Sequence, residues 1–386
     1  MCGTGGCDVR NAFAVLFIVG IIGSSCAAEI NGFGSAMPAL PENARLVLNE
    51  DWSGGMLAER WYSPRNKWGA GNNGVVRENV RVERDIVNGH EQNVLVCEAH
   101  GDHYSGSVLG YQRQKTRVGG VLISKAFFAS GRFEIVVKIG SSKTHAGGPD
   151  DPFRPKGMVP AMWTYAYRYV KSDSAKGDVF AAAAPMYNPF LKARDGATNE
   201  YTSEIDFPEF GKQGNFDQGL YNAYTQNRAD NRVCDVSPAI DGGYHVFTTQ
   251  WRTKLVPIDA TDAQVVESEG YWWVQDKAIP YGKYSGNPLK RLGKDRYAVY
   301  SGDVAEHWLD GKKIGENTKN VPSMAAQLTL GTWLPFWAGE AKWETATVSV
   351  ASVKIWQYDD AGDVRGILTS SLRELFDEHG NEIPRK

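Results

Sequence analysis

Ser203-Glu204-Ile205-Asp206-Phe207-Pro208-Glu209-Phe210-Gly211 can take few conformations. Three carboxylates fall within six residues and are interleaved with large apolar side chains. A two-residue period belongs to a strand buried on one face, so Glu204 and Asp206 point one way and Ile205 and Phe207 the other. Glu209 follows Glu204 by five positions, an odd number, and unbroken alternation would turn it to the apolar side. One extra residue, a β-bulge, returns it to the acidic face. Pro208 stands where that bulge is needed, and bulges are among the few strand positions that tolerate a missing N–H. The segment predicts an irregular strand that presents all three acids to one side, over a core that takes Ile205, Phe207 and Phe210.

The rest of the chain supplies a framework of the same kind. In Gly131–Ile139, residues Phe133, Ile135, Val137 and Ile139 share one face. Similar runs are Asn93–Glu98, Tyr244–Trp251, Ala325–Leu330 and Ala346–Tyr358. With 42 Gly, 12 Trp, 17 Tyr and 15 Phe in 386 residues, the punctuation suits short strands and turns. One helix is predicted, where Ser371 and Glu374 form a capping box, Leu372, Leu375 and Phe376 an apolar stripe, and Gly380 a stop. Ser141–Gly157, Lys171–Thr202 and Lys254–Asp295 read as insertions, and loops this long are usually functional. A hydrophobic share of 42% excludes a disordered chain. The balance of 42 Lys and Arg against 45 Asp and Glu excludes the strongly basic surface of a nucleic-acid binder.

The N-terminus reads as a targeting segment. Arg10 precedes an apolar run from Ala12 to Gly23, then small residues lead to Ala28. That run is too short for a bilayer span of about 20 residues and suits a secretory signal cleaved after Ala28. The expected location is secreted or periplasmic. A lipid anchor on Cys26 is the alternative, and Gly23 stands where that signal wants an aliphatic residue. The division expected is 1–28 signal peptide, 29–43 linker, 44–360 one β domain and 361–386 helical tail. The mature chain keeps Cys97 and Cys234, either as one disulfide or as two buried thiols.

Acetal hydrolysis gives a physical reason to tolerate crowded acids. One carboxylate attacks or stabilises the anomeric carbon while a protonated one donates to the leaving oxygen. With one residue looped out, the Cα atoms of Glu204 and Glu209 are roughly 13 Å apart. Side chains leaning inward close that to about 5 Å, the retaining separation, although the spacing also allows the wider inverting one. Asp206 lies between them, where its charge favours a proton on a neighbour. A merely solvated acidic face leaves Ile205, Phe207 and Phe210 unexplained, and a calcium site would recruit turns rather than a strand.

Glu204-Ile205-Asp206-Phe207-Pro208-Glu209 resembles the bulged active-site strand of glycoside hydrolase family 16. Ser124–Glu134 resembles that family's strand before the cleft, and Pro160-Ala161-Met162-Trp163 its cleft tryptophan segment. Tyr244–Phe247 leading to Trp251 is similar to its His-x-Tyr…Trp strand, with Phe247 in place of the usual Tyr. Asp310-Gly311-Lys312 and Ile355–Tyr358 resemble late strands, so the likeness runs from about Leu46 to Tyr358. It implies an all-β, concanavalin-like β-jelly-roll sandwich with a concave cleft, here followed by the short C-terminal helix. It also implies retaining endo-hydrolysis of a β-linked polysaccharide, a β-glucan or a galactan. Glu204 would be the nucleophile, Asp206 its orienting and electrostatic partner, and Glu209 the acid/base. Trp163 would be a sugar-stacking platform, with Trp333 and Trp337 as weaker candidates. His245 would be structural. No cofactor is required; some members hold a structural calcium on the convex side, and the resemblance allows one here without assigning its ligands. The expected partner is the polysaccharide alone, bound by a monomer.

Two weaker signals carry little. Gly69–Gly74 matches the dinucleotide fingerprint in letters but lacks the preceding strand and following helix, so it reads as a turn and no nucleotide is expected. Cys97, His100, Asp102 and His103 lack zinc spacing and read as a strand end with its loop. A non-catalytic carbohydrate-binding sandwich and a transglycosylase are the rival readings of the acids.

Overall fold

Alternation along the chain becomes two stacked antiparallel sheets. The computed structural model describes residues 37–68, 71–143, 152–171, 198–225, 228–268, 271–274 and 289–364; the predicted signal segment and C-terminal helix lie outside them. In chain order the first strands are β1 (Arg45–Glu50), β2 (Trp61–Tyr62), β3 (Val80–Val87), β4 (His90–His100), β5 (Gly120–Phe128) and β6 (Gly131–Lys143). Next come β7 (Val159–Lys171), β8 (Thr198–Glu209), β9 (Gln218–Thr225), β10 (Arg228–Asp235), β11 (His245–Ile258) and β12 (Val265–Ser268). The last are β13 (Tyr271–Val274), β14 (Leu289–Gly293), β15 (Arg296–Leu309), β16 (Lys312–Asn317), β17 (Ala326–Trp333) and β18 (Thr345–Gln357). Among the described residues the only helical pieces are single 3-10 turns.

The smaller sheet has seven strands in the order β10-β9-β8-β7-β17-β5-β2. The larger has eleven, running β12-β13-β14-β15-β11-β6-β18-β4-β3, with β1 on β18 and β16 on β15. Together they form a curled jelly-roll sandwich. Phe133, Ile135, Val137 and Ile139 of β6 all enter the core between the sheets, with Phe247 and Trp251 of β11. Ile205, Phe207 and Phe210 meet them from the smaller sheet.

Two readings of the sequence need adjustment. Lys254–Asp295 is not simply a looped insertion: β11 runs on to Ile258 against β15, and β12, β13 and β14 extend the larger sheet. This edge buries little, as in β14, where Leu289 is buried and Lys290, Arg291 and Leu292 are exposed, so alternation is faint. The disulfide alternative is not realised, because Cys97 and Cys234 are free and buried. Burial pushes both thiols up to about 12, which leaves them inert at neutral pH. Packing also continues past β18: Asp363 accepts hydrogen bonds from Ser130 and Thr253, and Val364 bridges to Met324.

Candidate active site

The acidic strand is β8, and its ladder slips once. On the β7 side Trp163 pairs with Asp206 and Ala161 with Glu209, so three steps of β8 span two of β7. On the β9 side Ile205 pairs with Ala223 and Glu209 with Leu220, four steps against three. The extra residue therefore falls at Phe207-Pro208, whose peptide bond is cis. Gly219 makes room for it, since a Cβ there would lie 3.0 Å from the Pro208 ring carbons. Thr164 Oγ1 accepts the Ile205 N–H at 3.2 Å, and the Phe210 N–H donates to the Pro160 carbonyl at 2.9 Å.

The core pins this irregular register. The Phe207 ring lies 5.1 Å from Phe133, and the Phe210 ring 5.8 Å from Phe247. Phe207 and Phe210 are three positions apart yet both point inward. Each buried ring is worth roughly 1.5–3 kcal/mol. A one-residue slip would expose them and drive carboxylates into the core, so Glu204, Asp206 and Glu209 are held on the outer face of the smaller sheet.

Neighbouring strands complete that face. Tyr165 of β7 and Tyr224 of β9 flank Glu204, while Trp163 flanks Asp206. Asp206 is only 1% exposed; its Oδ2 accepts from Asn222 Nδ2 at 2.7 Å, and its Oδ1 is buried without a hydrogen-bond partner. Burial, then the charges of Glu209 and Glu204, push the Asp206 carboxyl well above the usual range, against the Asn222 hydrogen bond. Glu209 is partly exposed at its surface, and desolvation pushes it up to about 7 although Lys212 pulls the other way. Burial and all three acids likewise raise the Tyr224 phenol. The crowded carboxyls of Asp206 and Glu209, with the charge of Glu204 acting on Asp206, thus retain a proton near neutrality.

Asp206 carries a stability consequence. A carboxyl whose folded-state pKa is raised binds more protons in the folded than in the unfolded chain, so stability falls as pH climbs above about 4. Asp206→Asn keeps an acceptor for Asn222 and removes the charge. Its thermal midpoint is expected to exceed that of the native chain by about 2–4 °C at pH 8, for roughly 1 kcal/mol, with no gain near pH 4. Melting curves at the two pH values check this; an equal gain at both would mean that charge is not the cause.

The tryptophans are distributed differently from the expectation. Trp163 is on the acidic face but only 6% exposed, so it is not an open platform. Trp68, from the loop after β2, covers it edge-on at 6.0 Å. Trp333 and Trp337 are partly exposed, pack on the same cluster and meet each other edge-on at 5.7 Å. The Trp337 carbonyl accepts the Gln213 N–H at 3.2 Å, which ties it to the turn carrying Lys212. Trp68, Asn222 and Tyr224 are the members that sequence reading missed. In β9 the signal was present: Leu220, Asn222 and Tyr224 alternate with buried Tyr221 and Ala223. His245 belongs to β11 of the other sheet, and Asp310 and Asp241 engage its two ring nitrogens at 2.8 and 3.0 Å. Among the described residues no three His, Cys, Asp or Glu side chains form a metal-binding group, and no calcium ligands are assigned.

Neither a family model nor a curated protein matches the sequence. Solved structures do resemble the fold. A β-1,3-1,4-glucanase (lichenase) from a mouse hindgut metagenome is 14% identical, covering 80% of this chain and 97% of its own, with a TM-score of 0.43. A non-specific endo-β-1,3(4)-glucanase from family GH16 is 16% identical, covering 85% and 96%, with a TM-score of 0.45. A variant enzyme from Zobellia galactanivorans, in complex with laminaritriose and laminaritetraose, is 15% identical, covering 81% and 98%, with a TM-score of 0.43. The similarity is one of backbone arrangement.

Proposed function

We propose that the chain is a secreted, endo-acting, retaining β-glycoside hydrolase that cleaves a β-linked polysaccharide, a β-glucan or a galactan. One observation carries the reading: Asp206 is clamped by Asn222 within the field of both Glu204 and Glu209, on one face, with Glu209 pushed up to about 7. Acetal cleavage needs one ionised carboxylate and one protonated carboxyl side by side. In the first step the Glu204 carboxylate attacks the anomeric carbon while Glu209 gives its proton to the departing oxygen. Glu209, now a base, takes a proton from water, which attacks the same carbon and frees Glu204. Asp206 orients Glu204 and, as the most buried of the three carboxyls, shares the retained proton with Glu209. The tryptophan cluster offers apolar surface to the CH faces of the sugar rings. Export rests on Arg10 and the apolar run Ala12–Gly23.

A screen of laminarin, lichenan, agarose, porphyran and carrageenans for new reducing ends tests the proposal, with NMR of the first-formed anomer on the polymer that is cleaved. The expected product keeps the β configuration. Saturable binding without new reducing ends would make the chain a binding sandwich, and transfer to sugar without hydrolysis a transglycosylase.

A further inference from the structure

Resting on that reading, we propose a second polysaccharide-binding groove, beside the acidic face and reached from it across the Gly71–Gly74 turn. The groove encloses about 700 Å³ and is lined by Arg65, Glu78, Ser107, Leu109, Tyr111 and Arg113. Arg65 pairs with Glu78 and donates to the Leu109 carbonyl at 3.2 Å, so its charge is largely offset while planar donors and acceptors stay at the rim. Sugar hydroxyls both donate and accept, and a guanidinium beside a carboxylate answers both needs. Tyr111 is 50% exposed and Leu109 40%, which gives apolar surface for the CH faces of a pyranose. Arg113 is the one lining charge outside that pair, and a single guanidinium beside an offset ion pair and an exposed ring suits the hydroxyls of an uncharged chain rather than the cation cluster an anion needs.

The glycine turn links this groove to the acidic site. Gly71 and Gly74 have φ of +80° and +82°. A Cβ at Gly71 would lie 2.6 Å from Phe336 Cβ, and one at Gly74 would lie 2.8 Å from Tyr111 Cβ. Side chains are excluded at both points by space as well as by backbone. The turn is fixed by Asn72 Nδ2 donating to the Trp68 carbonyl at 2.6 Å and by the Tyr111 N–H donating to Asn73 at 2.8 Å. At one end of it stands Phe336, 67% exposed, next to Trp337; at the other stands Tyr111. No more than about 10 Å of backbone separates the two glycines. A long chain held in the groove would keep its neighbouring bonds at high effective concentration over the acids, a gain that short substrates miss.

The test is affinity electrophoresis of the full chain in gels containing laminarin, lichenan or agarose. Glu204→Gln serves as the background so that no polymer is consumed. Adding Tyr111→Ala is expected to weaken retention roughly five- to tenfold, the range of one aromatic stacking contact, and Tyr111→Phe to restore it. Arg113→Ala should weaken it in the same gels. Retention indifferent to these changes, on a polymer that the native chain cleaves, overturns the groove and leaves the hydrolase reading standing. Tyr111-dependent retention without any cleavage by the native chain supports the groove and removes the hydrolase. Retention confined to a sulfated carrageenan and abolished by salt overturns the uncharged ligand. Neither retention nor cleavage overturns both.

Discussion

Glu204→Gln is expected to lose polysaccharide cleavage by on the order of 10⁴-fold or more while still binding the polymer. An amide keeps the shape of the carboxylate, so the strand pairing of Glu204 with Tyr165 and Tyr224 survives. What disappears is the electron pair that would bond to the anomeric carbon. Because Glu204 also raises the Asp206 carboxyl, the substitution removes a repulsion, and the variant should be at least as stable as the native chain. An inactive but more stable protein is the signature of a reacting group, since a structural residue would lose both together. The smaller Glu204→Gly variant extends the test. With azide and an activated aryl β-glycoside it should form the α-glycosyl azide, as azide enters from the face that Glu204 has vacated. Full turnover by Glu204→Gln would remove the nucleophile assignment.

The acidic strand was legible because its information is local. Alternation from Glu204 to Phe210, broken once at a proline, contains both the faces and the slip, and the structure places the extra residue at Phe207-Pro208. The β6 core positions were legible for the same reason. Tyr224 and Asn222 were not, because their relation to the acids depends on the register between β8 and β9, a non-local quantity that no window along one strand contains. Trp163 shows the same limit from the other side. Its segment marks it as belonging to the acidic face, but its low exposure comes with a cluster drawn from distant parts of the chain, Trp68 and Ala338 among them. Glycine letters alone could not reveal that Phe336 and Tyr111 crowd the Gly71–Gly74 turn from two sides. Strand identity is thus written in single segments, while subsite chemistry is written in which segments meet.

Glu209 gives the second large effect, and its sign separates it from Glu204. The general acid must carry its proton into the first step. With the carboxyl pushed up to about 7, kcat/KM should fall about tenfold per pH unit above neutrality. Removing Lys212 should move that alkaline limb to higher pH, because the lysine charge is what pulls the Glu209 carboxyl down. Glu209→Gln should slow polysaccharide cleavage by about 10²–10⁴-fold and abolish the limb altogether. The loss should depend on the leaving group, as it would not for Glu204. An aryl glycoside whose leaving group needs no proton should still glycosylate Glu204, and the covalent intermediate should then accumulate because no base activates water. Azide should accelerate Glu209→Ala on that substrate and give the β-glycosyl azide, the opposite configuration to the product from Glu204→Gly. The two azide products together assign both glutamates. If both variants gave the same anomer, the roles within the acid triplet would have to be redrawn; if the alkaline limb persisted in Glu209→Gln, the proton would belong to another group, with buried Asp206 the first candidate.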